Sequence, residues 1–169
     1  MPVPRSFSLS RREADIAITV ERPTEGRLVA GKLVDYTLGL FASRAYAEAN
    51  GLPETAAELG RHTLIGYVPD LIVSPSLDYA AEFSADWRTS FAISSALGQA
   101  EAVRSGAGIG ILHAFIARSL PELVPVQAAK PIRRAYWLVY HESVRPLRRI
   151  QAVAGFITSA VEREKQLFS

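Results

Sequence analysis

Apolar residues occur in short runs, which are separated by turn and loop residues. Six of these runs have the length and composition of β-strands, and they span residues 16–20, 33–42, 64–68, 91–94, 109–112 and 134–141. Helical segments are predicted to end at residue 13 and to cover residues 43–49, 53–59 and 96–105. Near-continuous apolar strands that alternate with helices favour an α/β fold with parallel sheets covered on both faces.

The C-terminal part of the chain has a different period. From Ser143 onward, apolar residues recur at every third or fourth position, which is the spacing of one helix face. Pro146 is compatible with this pattern because proline is tolerated in the first turn of a helix. The sequence therefore predicts a long terminal amphipathic helix with Pro146 in its first turn.

Three glycines, Gly106, Gly108 and Gly110, lie in the stretch SSALGQAEAVRSGAGIGILHAF, residues 94–115. A phosphate cradle needs the order strand, glycine turn, helix, because the phosphate sits on the helix N-terminus. Here a helix precedes the glycines and a strand follows them. Gly106 is predicted to end the helix in the left-handed conformation, and the other two glycines to allow close packing of the strand. The cluster is predicted to be structural.

The opposite end of the same helix is a candidate ligand site. Ser94 and Ser95 follow a predicted strand directly, and ligands of open α/β sheets bind at the carboxyl ends of strands. Both hydroxyls are available, and the backbone N–H groups of Ala96 and Leu97 have no acceptor within the helix. A plain N-cap role for Ser95 explains the pattern equally well. Spacing alone leaves both interpretations open.

Residues with catalytic chemistry are few and scattered. His62, His113 and His141 lie far apart and show no metal-ligand spacing, and there is no cysteine. The sequence contains neither a G-x-S-x-G nor an H-E-x-x-H motif. We therefore expect neither an enzyme nor a bound metal or cofactor. His113 follows a strand end and is placed beside the same site as Ser95.

The charges limit the class of partner. The chain carries 19 Lys and Arg against 17 Asp and Glu, a net charge of +2, and the arginines are interleaved with acids. Nucleic-acid binding would need the cations gathered on one face, so a solvated surface is the better interpretation. No segment has the apolar core of a secretory signal or the length of a membrane span. These patterns predict a cytoplasmic protein.

Five segments in order carry a family resemblance. They read RREADIAITVERP, GRLVAGKLVDYTLGLFASRAYAEANG, LIGYVPDLI, SSALGQAEAVRSGAGIGILHAF and RAYWLVYHESVRPLRRIQAVAGFI. Together they resemble the effector-binding domain of LysR-type transcriptional regulators over essentially the whole chain. The resemblance implies a periplasmic-binding-protein-like α/β fold of two lobes joined by two crossover strands, here residues 33–42 and 134–141. Lobe I would comprise residues 1–39 and 134–169, and lobe II residues 40–133.

The resemblance also implies an effector cleft built from strand ends. Including the Leu97 N–H group, the predicted effector-binding residues are Ser94, Ser95, Ala96, Leu97, His113, Phe115, Tyr67 and Thr19. The helix N-terminus favours an anion, and Phe115 and Tyr67 are expected to supply apolar walls. A small carboxylate or a similar anion with an apolar body is the predicted effector.

Two departures from the family pattern affect the expected function. Nothing in this chain matches the helix-turn-helix or linker helix of the family, and the family's first strand and helix are expected to be missing from lobe I. Unpaired strand edges would then favour a homodimer or larger species. The predicted function is an effector-sensing regulatory domain that reaches DNA only through a reader domain absent from this chain. A freestanding small-molecule binding protein of the same fold is the alternative.

We expect this chain alone to show no sequence-selective DNA binding, because its net charge is only +2 and its arginines are dispersed. Fluorescence anisotropy with labelled duplexes at several salt concentrations tests this. Tight, selective binding that weakens steeply with added salt would contradict it.

Overall fold

The computed structural model describes residues 14–72, 78–85 and 87–168. Within these residues the strands are β1 (Ile16–Thr19), β2 (Leu28–Ser43), β3 (Leu64–Gly66), β4 (Thr89–Ala92), β5 (Ile109–His113), β6 (Leu123–Val126) and β7 (Ile132–His141). The α-helices are α1 (Arg44–Asn50), α2 (Tyr79–Phe83), α3 (Ala96–Arg104), α4 (Ala114–Arg118) and α5 (Arg148–Arg163). Short 3₁₀ turns occupy Ala56–Arg61, Pro69–Leu71, Glu142–Val144 and Lys165–Leu167.

The six strands predicted from apolar runs are all present, with boundaries that differ by up to five residues. The sequence did not predict β6, α2 or α4. In β6 the run LVPV contains Pro125, which argues against a strand unless the strand lies at the edge of a sheet. Among the described strands, β6 pairs only with β2. The two helices are five residues long each, too short for a periodic signal. The helix predicted to end at residue 13 lies outside the described residues.

The predicted start of the terminal helix was wrong. Pro146 precedes α5 instead of lying in its first turn, because the helix begins at Arg148. The Arg145 N–H donates to the Glu142 carbonyl and the Leu147 N–H to the Val144 carbonyl, which keeps the chain in tight three-residue turns. Leu147 is extended, at φ −73° and ψ 124°, and the helix starts only after it.

The described chain divides into two compact units. One unit comprises Thr37–Ile132, and the other comprises residues 14–36 together with residues 133–168. The strand β2 contributes its first nine residues to the second of these and its last seven residues to the first. The lobe limits expected from the sequence stay a prediction.

In the Thr37–Ile132 unit the strands lie in the order β2, β5, β3, β4, and β6 also pairs with β2. Helix α3 packs on β3 and β5, and its Val103 side chain is fully buried. Val103 shares a cluster with apolar side chains of β3, β5 and α4, namely Ile65, Leu112 and Ala117. Full burial of the Val, Ile and Leu side chains stabilises the fold by about 1.5–3 kcal/mol each.

Only part of the sheet is parallel, so the expectation of parallel sheets is corrected. The strand β3 pairs in parallel with β4 and β5, but β2 is antiparallel to both β5 and β6, and β1 is antiparallel to β7. Apolar content reports how deeply a strand is buried and not its direction. Three consecutive residues of β4, Ser90 to Ala92, are exposed, so this strand is not covered on both faces.

In the other unit, β7 lies between β1 and the first half of β2. Ile16 is paired with Tyr140 and Thr19 with Trp137. Tyr36 of β2 stacks on Tyr136 of β7 with ring centroids 4.3 Å apart. The helix α5 buries Ile150, which is 3% exposed.

The glycine cluster has the structural role predicted for it. Gly106 has φ +84°, and its N–H donates to the Val103 carbonyl while the Ala107 N–H donates to the Ala102 carbonyl. This pair of bonds is a Schellman motif that closes α3. A Cβ at Gly108 would collide with the Thr63 carbonyl oxygen, so the strand lies too close to its neighbour for any side chain.

We expect Gly108→Ala to lower the free energy of unfolding by about 1–3 kcal/mol, because backbone must move to admit the methyl group. Gly60→Ala is the matched control, since a Cβ there would meet nothing within 4 Å. Urea unfolding followed by circular dichroism measures both. Equal stability of the two variants would contradict the close approach.

Candidate functional site

Three parallel strands of the Thr37–Ile132 unit end at the same edge of the sheet. Tyr67 follows the last residue of β3, Ser94 follows β4 after one residue, and His113 ends β5. Because β3 is parallel to both neighbours, their carboxyl ends must share one edge. The structure thus brings together at this edge seven of the predicted residues: Ser94, Ser95, Ala96, Leu97, Tyr67, His113 and Phe115.

Ser95 is the N-cap of α3, as its sequence position suggested. Its backbone is extended, at φ −125° and ψ 130°, and its Oγ accepts a hydrogen bond from the Gly98 N–H at 3.4 Å. The N–H groups of Ala96 and Leu97 begin the helix and have no acceptor inside it. The Leu97 side chain is 69% exposed. The cap leaves donors and an apolar side chain together at the surface.

His113 is buried at the end of β5, with 9% of its surface exposed. Its ring meets the Phe115 ring edge to face, with centroids 5.3 Å apart. Burial lowers the pKa of His113 to about 4, so the imidazole is neutral at neutral pH. At this edge His113 therefore supplies a polar ring without a positive charge.

Tyr67 lines a small cavity beneath the strand ends. The cavity has a volume of about 20 Å³, which is room for about one water molecule. Its walls include Tyr79, Thr89 and Gln99 together with apolar side chains of β3 and β5. Burial raises the pKa of the Tyr67 phenol, which stays protonated at neutral pH.

Two residues at this site were missed by sequence reasoning, Gln99 and Tyr79. Gln99 is 2% exposed, and its Nε2 donates to the Ile93 carbonyl at 2.9 Å. A signal existed for it, because Gln99 occupies the buried face of α3 with Ala100 and Val103, where a polar residue is uncommon. Tyr79 had no comparable signal, since α2 was not predicted.

Thr19 lies at the end of β1, in the other unit. Its Oγ1 donates to the Glu21 carbonyl at 2.6 Å, which closes a local turn. Its role in effector binding stays a prediction.

Two features are absent from the described parts of the chain. There, no group of three or more His, Asp or Glu side chains is placed to hold a metal ion. Across the same residues, no helix combines the length and apolar character that crossing a bilayer requires.

A family model and several solved structures match this chain. The family model described as the LysR substrate binding domain matches residues 6–162. No curated protein matches the chain significantly. Among solved structures, the regulatory domain of CrgA, a LysR-type transcriptional regulator from Neisseria meningitidis, is 22% identical with a TM-score of 0.77 over 90% of this chain and 78% of that one.

Two further solved structures have a similar fold. CrgA itself is 22% identical with a TM-score of 0.76, over 90% of this chain and 54% of that one, so the chain spans about half its length. The CcmR regulatory domain of Synechocystis PCC6803, solved in complex with 2-PG, is 18% identical with a TM-score of 0.72, over 90% of this chain and 76% of that one. At these identities the likeness shows the fold.

The buried imidazole predicts a pH dependence of stability. The pKa of His113 is 6.5 when solvated and about 4 in the folded protein, so between these values the unfolded chain binds a proton that the folded protein does not. Stability is therefore lost as pH falls through this window, by on the order of 3 kcal/mol in total.

His113→Gln removes the titrating group, and the variant should lose this part of the pH dependence. His141→Gln, in the other unit, should keep it. Urea unfolding of the three proteins from pH 8 to pH 4 measures the difference, in which shared carboxylate effects cancel. A wild-type profile indistinguishable from that of His113→Gln would contradict the burial of a neutral ring.

Proposed function

The chain belongs to the family of LysR substrate-binding domains, the effector-binding part of LysR-type regulators, and we propose that it senses a small anion with an apolar body. The proposed site is the strand-end edge of the Thr37–Ile132 unit. The observation that carries the proposal is the meeting of three strand ends with the free N–H groups at the start of α3. A regulatory domain of the same fold, CcmR, was solved in complex with 2-PG.

The magnitudes favour an anion that also has apolar surface. The N-terminus of α3 contributes about 0.3–1 kcal/mol toward an anion, and about 2 kcal/mol if the site is partly buried. His113 adds no charge at neutral pH, because burial keeps it neutral. Apolar contacts must therefore supply most of the affinity, and we propose that Phe115, Tyr67 and Leu97 supply them.

Regulation of transcription is the wider role that we propose. Full-length CrgA, of which this chain spans 54%, is described as a LysR-type transcriptional regulator. We propose that effector binding is read out through a DNA-binding domain, and that the protein acts in the cytoplasm without catalysing a reaction. A freestanding binding protein of the same fold is the alternative. An in-frame helix-turn-helix encoded immediately upstream would support the regulator over the alternative.

Self-association is also proposed, with α5 as its surface. Phe156 and Val153 of this helix are 70% and 48% exposed, although α5 also buries Ile150 in its own unit. The strand β1 lies at the end of the described strand order and exposes 55% of Ile18. Large apolar side chains and a strand edge that lacks a described partner both attract other chains.

Replacing Ser95 with Asp tests the effector site. Aspartate still caps a helix, but its charge repels an anion at the Ala96 and Leu97 N–H groups. Isothermal calorimetry with a panel of small carboxylates, benzoate among them, should show a loss in affinity on the order of tenfold or more. Ser105→Asp, which puts the same charge at the other end of α3, should bind as the wild type does. Equal affinity of all three proteins would place the effector elsewhere.

Replacing Phe156 with Glu tests the association surface. We expect a dimer or larger species of the wild type by light scattering at high concentration, and a shift toward monomer in Phe156→Glu. Thr158→Glu adds the same charge at an exposed, polar position of α5 and should associate like the wild type. A monomeric wild type, or association unchanged by Phe156→Glu, would contradict the proposal.

A further inference from the structure

The turn between β4 and α3, residues 93–97, is held by contacts from two directions. On the strand side, the Ile93 N–H donates to the Gly66 carbonyl of β3 at 2.9 Å. On the helix side, the Ile93 carbonyl accepts from the Gln99 Nε2 at 2.9 Å. Ile93 is thus fixed through both of its backbone polar groups, and the second contact depends on a single side chain.

Gln99 holds the turn more tightly than the N-cap does. The hydrogen bond from the Gly98 N–H to the Ser95 Oγ is 3.4 Å long, near the limit for a hydrogen bond. The Gln99 bond has the usual length and is protected from water, because the side chain is only 2% exposed. Burying an amide is costly unless it is hydrogen-bonded, so the bond to the Ile93 carbonyl is strongly maintained.

Space around the turn is also limited. A Cβ at Gly98 would lie 2.8 Å from the Ile93 Cγ2, so helix and turn are in contact with little room for movement. Gln99 further lines the cavity of about 20 Å³ that Tyr67 and Tyr79 share. The side chain therefore joins the turn to the packing beneath a second strand end.

We propose that Gln99 is a positioning residue that orients the Ala96 and Leu97 N–H groups for the effector. It acts through the Ile93 carbonyl, and it need not touch the ligand. The expected effect of Gln99 on affinity rests on the proposed effector site. Its expected effect on the geometry of the turn does not, and it can be measured in the free protein.

Gln99→Met keeps the length of the side chain and removes the donor. Val103→Ala is the control, because it destabilises the same helix from a fully buried position near its C-terminal end and leaves the Gln99 donor in place. In amide NMR spectra of the free proteins, we expect the resonances of residues 94–97 to move in Gln99→Met and to stay in place in Val103→Ala. Unchanged resonances in Gln99→Met would overturn the proposal whatever the ligand.

Titration with benzoate separates the effect on affinity. Gln99→Met should bind benzoate more weakly by on the order of tenfold, while Val103→Ala binds it like the wild type. An equal loss in both variants would mean that Gln99 acts only through stability, and would overturn the positioning role. If benzoate and sulfate leave the Ala96 and Leu97 resonances of the wild type unmoved, the proposed effector site fails, and the free-protein spectra still decide the role of Gln99 in the turn.

Gln99→Glu provides a rescue and a second variant should Gln99→Met fail to fold. The buried carboxyl has a raised pKa, and its protonated form has an O–H group that can donate to the Ile93 carbonyl. The resonances of residues 94–97 should approach the wild-type positions as pH falls and depart from them as pH rises. Resonances of residues 94–97 that do not move when residue 99 is protonated would contradict the proposal.

Discussion

The parallel pairing of β3 with β5 and with β4 is the constraint on which the candidate site depends. Parallel strands end at one edge, so residues that are far apart in sequence, such as Tyr67 and His113, reach the same surface. The pairing requires close approach of backbone, and Gly108 meets this requirement because no side chain would fit against the Thr63 carbonyl. Without the glycine, β5 could not follow β3 at the observed distance.

The two ends of α3 are capped in different ways. At its C-terminus the carbonyls of Val103 and Ala102 are satisfied by backbone bonds around Gly106, so this end is closed. At its N-terminus Ser95 caps weakly and the first N–H groups stay open, while Gln99 fixes the turn from inside. A rigid support beneath open donors is the arrangement that a binding site needs.

Electrostatics at the site are mild. His113 is neutral because burial lowers its pKa, and burial raises the pKa of the Tyr67 phenol, which is protonated at neutral pH in any case. The N-terminus of α3 carries a partial positive charge, and its contribution is small compared with apolar contact. If the proposed site binds an effector, shape and apolar contact must then supply most of its selectivity.

The sequence by itself determined where six of the seven described strands lie, that α3 begins near Ser95 and that Gly106 ends it, because these depend on local period and backbone preference. The resemblance supplied the fold. Tertiary structure alone decided the antiparallel direction of β2, since apolar content does not encode strand direction. It also decided that α5 begins after Pro146. It also decided the hydrogen-bond partner of Gln99, because a partner six residues away depends on how the turn folds back.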